Sequence, residues 1–176
     1  METRTLKHTD LTVSRACFGT MTFGSQVDEA TAARMIDLCI DRGVNFFDTA
    51  NIYNKGLSET IVGKALKGRR NRVILASKVR GKMGEGPDES GLSKRAMLRA
   101  IDESLKRLET DHLDLYYLHQ PDYAVPIEET LETMLCEEAR IPWKEIAFRT
   151  VGLTLKRWFE DRTRGSFAFH AQDILA

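Results

Sequence analysis

Four residues of this chain have side chains that together can move a proton onto an oxygen: Asp48, Tyr53, Lys78 and His119. Each stands at or just beyond the end of a short apolar run. Asp48 follows Val44 to Phe47, and Tyr53 lies five residues on in the same loop. Lys78 follows Val73 to Ser77, and His119 follows Leu113 to Leu118. A free phenol ionises near about 10, too high for an efficient acid at neutral pH. A neighbouring ammonium favours the phenolate. A carboxylate keeps that ammonium charged and oriented, and an imidazole can hold a substrate oxygen or share its proton. Such a set can give a proton to a carbonyl oxygen as hydride reaches the carbon. No side chain supplies hydride, so a nicotinamide cofactor is implied. Taken singly, each residue has an ordinary role. Asp48 would bracket a turn, Tyr53 would pack half-buried, Lys78 would be solvated, and His119 would be a hydrogen-bonded histidine. Four such residue types at the ends of strands outweigh those roles if their loops meet.

The surrounding pattern brings the loops together. Met1 to Ala16 alternates weakly around His8-Thr9-Asp10 and reads as a hairpin. A first buried strand follows over Cys17 to Met21. Asp28 can cap a helix whose Ala32, Met35, Ile36, Cys39 and Ile40 recur at helical spacing, and Gly43 ends it. Ser58 is expected to cap a second helix, with Leu57 and Val62 as a hydrophobic staple. Its apolar face is Ile61, Val62, Ala65 and Leu66, and Gly68 closes it. Ser93 caps a third, with Leu98, Ile101, Leu105 and Leu108 inward and Glu103 paired to Arg107 on the outside. Glu128 to Leu135 starts a fourth. Loop Gly81 to Gly91 is glycine-rich without phosphate-loop spacing and reads as a mobile surface loop rather than a substrate lid. Arg69-Arg70-Asn71-Arg72 reads as a solvated turn.

Strand alternates with helix, so the architecture is α/β, a parallel sheet covered by helices. A (β/α) barrel and a doubly wound sheet both fit. The first strand-to-helix turn, Gly19-Thr20-Met21-Thr22-Phe23-Gly24, lacks the GxGxxG spacing of a dinucleotide turn, which favours the barrel. A barrel gathers the C-terminal ends of its strands on one rim, where active sites sit. A full eight-fold barrel takes about 250 residues. With 176 residues and four βα units, this chain is expected to be a truncated half barrel.

Composition sets the outer bounds. Lysine plus arginine and aspartate plus glutamate are 26 each, hydrophobic residues 42% and charged residues 30%, which describes one globular domain and excludes a disordered chain. Charge balance argues against nucleic-acid or membrane-surface partners. No apolar run approaches the roughly 20 residues of a membrane span. A polar start, Met1 to Asp10, shows no secretory signal. Cys17, Cys39 and Cys136 are odd in number and far apart, which fits reduced thiols in the cytoplasm and no metal site.

The segment Phe46-Phe47-Asp48-Thr49-Ala50-Asn51-Ile52-Tyr53 resembles the aldo-keto reductase signature. Gly56-Leu57-Ser58-Glu59, Ala76-Ser77-Lys78, Tyr117-Leu118-His119 and Gly19-Thr20-Met21 resemble further motifs of that family, in matching order. The likeness runs from about Arg4 to Thr133. It implies a (β/α)8 barrel, a TIM-barrel fold, that reduces aldehydes and ketones with NADPH, NADH not being excluded. Asp48, Tyr53, Lys78 and His119 match the family's catalytic tetrad. The resemblance makes Tyr53 the general acid, Lys78 and Asp48 its tuners, and His119 the substrate-orienting residue. Gly19, Thr20, Met21 and Asp48 match positions near the nicotinamide.

The likeness stops after Thr133, which divides the chain into a half-barrel, residues 1–133, and a tail, residues 134–176. Both tryptophans, Trp143 and Trp158, fall in the tail. A slip of the reading frame near Thr133 would explain the shift. The alternative is a divergent tail with a strand over 145–153 and a helix over 154–161. In the family, the nicotinamide-stacking residue and the adenine and 2′-phosphate contacts come from the second half of the barrel. Enzyme chemistry by descent is therefore set beside two alternatives. One is a non-catalytic half barrel that self-associates through open barrel edges, and the other is an unproductive truncated product.

Overall fold

The computed structural model describes residues 1–7 and 9–135. The expected tail elements over 145–153 and 154–161, Cys136 and both tryptophans lie outside the described residues. A hairpin opens the chain: β1, Thr3–Thr5, pairs antiparallel with β2, Thr12–Ser14. It is tied to the sheet by Asn45, whose Oδ1 accepts from the Ser14 N–H at 2.6 Å and whose Nδ2 donates to the Thr12 carbonyl at 2.9 Å.

Strand β3, Cys17–Gly19, leads to helix α1, Glu29–Asp41. Strand β4, Phe46–Asp48, leads through a short 3₁₀ turn to α2, Leu57–Leu66. Strand β5, Ile74–Val79, leads to α3, Lys94–Leu108, and β6, Leu115–Leu118, leads to α4, Ile127–Leu135. The four strands form one parallel sheet in the order β3-β4-β5-β6. Spatial order equals chain order. A doubly wound sheet would instead reverse direction at a switch point. Barrel order with four βα units is thus the observed architecture, as the missing GxGxxG turn implied.

The two faces of the sheet differ. Phe47, Leu75, Val79 and Tyr116 are buried and pack with Ile36 and Ile40 of α1, Ile61, Val62 and Leu66 of α2, and Met97, Ile101 and Leu108 of α3. Each such side chain, fully buried, contributes about 1.5–3 kcal/mol. Alternate residues point to the opposite face. There Cys17, Gly19 and Tyr117 are exposed, and Asp48 and Lys78 are half-buried. The helices cover one face, and Asp48 and Lys78 lie on the other.

Asp28 and Ser93 cap α1 and α3 as their sequence positions imply, accepting from the Thr31 and Ala96 N–H groups. Ser58 does not cap α2. Left-handed Gly56, at φ 88°, takes the cap position, and Ser58 is buried one residue inside the helix. Leu57 is 44% exposed rather than stapled to buried Val62. Glu103 bonds Lys106, not Arg107, and Arg107 turns inward to Glu59. Nor is Arg70 solvated: it pairs with Asp114 at 2.7 Å and donates to the His112 carbonyl at 3.0 Å.

Candidate active site

The sheet register brings the tetrad to one rim. Gly19 lies beside Asp48, Asp48 beside Ala76, and Lys78 beside Tyr117. His119 follows β6 directly, its backbone N–H donating to the Val79 carbonyl at 2.9 Å. Tyr53 opens the 3₁₀ turn after β4. Asn54, Lys55 and Gly56 then run at φ 49°, 52° and 88°, three successive left-handed residues. Asn54 tolerates that conformation better than most residues and has a second task. Its Nδ2 donates to the carbonyls of Met21 and Phe23 at 3.2 and 2.6 Å, which ties the tyrosine turn to the loop after β3.

Lys78 Nζ is the hub. It donates to Asp48 Oδ1 at 2.5 Å, to the Thr49 carbonyl at 2.8 Å and to the Tyr53 hydroxyl oxygen at 3.0 Å. An ammonium has three N–H donors, so all three are engaged. Because the Tyr53 oxygen accepts from Lys78, the phenol's own proton points elsewhere and is free to be given. His119 closes the group, its ring edge-on to Tyr53 with centroids 5.8 Å apart. Partial burial and the Lys78 charge hold the His119 imidazolium pKa below its ordinary value, with Asp48 opposing. Its neutral ring offers one N–H donor and one acceptor.

The remaining expected site residues separate. Gly19 sits beside open space, with no atom within 4 Å of where a Cβ would stand, and Met21 is 62% exposed. Thr20 is fully buried, and its hydroxyl faces the Asp48 carbonyl at 3.1 Å and Ser58 Oγ at 2.9 Å. Ser58 also donates to the Thr20 carbonyl at 2.8 Å and meets Thr49 Oγ1 at 3.2 Å. This hydroxyl cluster joins the ends of β3 and β4 to α2.

A further network behind the tetrad was missed by the sequence reading. Glu59, fully buried, accepts from Ser77 Oγ at 2.6 Å and from Arg107 Nε at 2.7 Å. Ser77 precedes Lys78, and Arg107 lies against Gly56, where a Cβ would stand 2.6 Å from Arg107 Cδ. A glutamate at a position inside an apolar helix face was the available signal. Cys17, exposed as a residue, has its thiol pushed up to about 11 by partial desolvation against the sheet and by the Asp48 carboxylate, against Lys78. It therefore stays protonated at neutral pH.

A parallel sheet in barrel order, with polar side chains gathered at the C-terminal ends of its strands, places the chain among the (β/α)-barrel proteins. The model described as the aldo/keto reductase family matches residues 15–139, and the chain belongs to that family. It is 48% identical over 143 residues to an uncharacterised oxidoreductase, YrpG, of Bacillus subtilis, covering 75% of this chain and 44% of that protein. It is 39% identical over 140 residues to aldo-keto reductase YhdN of the same organism, covering 76% and 42%. A solved structure, an aldo-keto reductase from Bacillus halodurans in its holo form, superposes with a TM-score of 0.70 at 43% identity, covering 80% of this chain and 48% of that one. The chain thus spans less than half the length of these relatives. No helix among the described residues is long and apolar enough to cross a membrane.

Proposed function

We propose that this chain carries the proton-transfer site of an NAD(P)H-dependent carbonyl reductase, converting aldehydes or ketones to alcohols. What carries the reading is the Lys78 ammonium, its three protons divided among Asp48, Thr49 and Tyr53. A bound reduced nicotinamide supplies hydride to the carbonyl carbon. Open space at Gly19, beside Asp48 on the rim, suits a flat ring there. NADPH is the cofactor in this reading, with NADH also admitted. His119 receives the carbonyl oxygen through its ring N–H and aligns it with the phenol. Tyr53 gives its proton to that oxygen as the C–O bond becomes an alcohol. Lys78, already bonded to the phenol oxygen, stabilises the negative charge left there. Asp48 holds Lys78 in place. A cytoplasmic location, where a reduced cofactor pool and free thiols coexist, belongs to the same reading.

The test is turnover of a small aldehyde by the purified chain with NADPH, beside a calorimetric titration of the cofactor. Saturable binding is expected, and Tyr53→Phe should lower turnover by about 10²–10⁴-fold, the usual contribution of a positioned acid. Undiminished reduction by that variant would remove Tyr53 from the role.

A second reading has its own observation. Among the described residues β3 and β6 each pair on one side only, and the tetrad face carries exposed Tyr117 and Cys17. Open edges recruit further strands. Self-association of this chain through them, with or without activity, is the expected consequence.

A further inference from the structure

Tyr53 meets Lys78 and His119 through its side chain, so its usefulness depends on where the turn that carries it stands. Before Tyr53, the sheet fixes that turn. The Thr49 and Asn51 N–H groups donate to the Ala76 and Lys78 carbonyls at 3.0 and 3.2 Å, and the Tyr53 N–H donates to the Ala50 carbonyl at 3.1 Å. After Tyr53, the chain passes at once through left-handed Asn54, Lys55 and Gly56. Here Asn54 supplies the tie to another βα unit. Its Nδ2 stands 2.6 Å from the Phe23 carbonyl oxygen, 3.2 Å from that of Met21 and 3.4 Å from Ser25 Oγ. Carbonyl oxygens only accept, so the side-chain atom between them is the amide nitrogen and not its oxygen.

The loop that Asn54 grips is itself anchored. Phe23 is 1% exposed and belongs to the core. Its N–H donates to the Thr20 carbonyl at 3.0 Å, and the Thr22 carbonyl accepts from the N–H groups of Ser25, Gln26 and Val27 at 3.2, 3.1 and 3.1 Å. The Thr20 N–H donates in turn to the Asp48 carbonyl at 3.0 Å. The loop is therefore fixed to the residue whose carboxylate holds Lys78. Residue type at position 54 fits the same task. Glycine would take φ 49° more cheaply but has no side-chain donor. Aspartate tolerates the conformation, yet when ionised it only accepts. Asparagine meets both demands.

We propose that Asn54 is a positioning residue for the Tyr53 phenol. Its amide latches the tyrosine turn to the loop after β3, which keeps the phenol oxygen 3.0 Å from Lys78 Nζ and the ring edge-on to His119. Two acceptors of the Lys78 ammonium, Asp48 and Tyr53, are thereby referred to one loop. The effect on turnover rests on the reductase reading above, and the placement of the phenol does not. The test is NMR of the isotope-labelled full chain without cofactor or substrate, reading the nuclear Overhauser contact between the Tyr53 and His119 rings. Asn54→Gly keeps the left-handed turn and deletes the donor. It should lose the ring contact while staying folded, whereas a residue needed only for backbone conformation would leave that contact intact. Asn54→Asp, of similar size, should lose it as well. In the reductase reading, kcat for a small aldehyde should also fall about 10²-fold with little change in KM, the cost of a slightly displaced acid. An unsubstituted chain that turns over nothing counts against that reading alone, since the ring contact still decides the latch. A folded variant that keeps the contact overturns the proposal, as does undiminished kcat in an active chain. Failure of both variants to fold overturns it too, making Asn54 a residue of the fold and not of the phenol.

Discussion

Each proton of the Lys78 ammonium has an oxygen of its own, so its replacement acts in three places at once. Lys78→Met should lower carbonyl turnover by about 10²–10⁴-fold, because Tyr53 loses the charge beside its oxygen. It should also move the His119 titration upward, since the Lys78 charge helps to hold that imidazole neutral. A ¹H–¹⁵N titration of the ring reads this, and an unmoved midpoint would separate the two residues. In the intact chain the sign for stability follows. The unfolded chain binds a proton at His119 below about pH 6.5 that the fold disfavours, so stability falls as pH drops through that value. Behind the rim, Arg107→Met would strand Glu59 without its buried partner, at a cost of about 3–5 kcal/mol in urea unfolding. A loss below about 1 kcal/mol would show the pair to be dispensable. The meeting of these four side chains on one rim was legible because Asp48, Lys78 and His119 each follow an apolar run and Tyr53 lies in the loop that Asp48 opens. The pairing of Glu59 with Arg107 was not, because it joins residues on different helices that meet only after packing.

At the scale of elements, α2 and α3 approach closely. A Cβ at Gly63 would stand 2.6 Å from the carbonyl carbon and oxygen of Leu108. Backbone cannot step aside as a side-chain tip can. Gly63→Ala should therefore destabilise the chain by about 1–3 kcal/mol despite the better helix propensity of alanine. A urea midpoint that stays put or rises would show that the helices part freely. Periodicity located the three helices, and Asp28 and Ser93 marked where two of them begin, since a cap depends on residues three apart. Ser58 looked like a third such cap. Its hydroxyl is drawn instead to Thr20 and Thr49, a long-range convergence that no local pattern records. Arg70 was misjudged for the same reason, its partner Asp114 lying across the sheet's entry.

For the whole molecule, the strand order decides which edges remain. Among the described residues β3 and β6 lie at the two ends of the sheet, and no helix covers the face bearing Asp48 and Lys78. Sedimentation velocity across a concentration series should therefore show this chain self-associating, and a concentration-independent monomer would argue that its edges are already protected. Barrel rather than doubly wound order was legible in one absent motif at Gly19 to Gly24. The contrast between covered and open faces was not, because apolar runs in a parallel sheet read alike on both sides. The same order bears on how the chain is born. Within the parallel sheet each strand after β3 pairs with the one synthesised just before it, so a ribosome releasing β4, β5 and β6 in turn presents each to an edge already made. Pairings between successive units shorten the loops that must close, and assembly can keep pace with translation, from the hairpin onward.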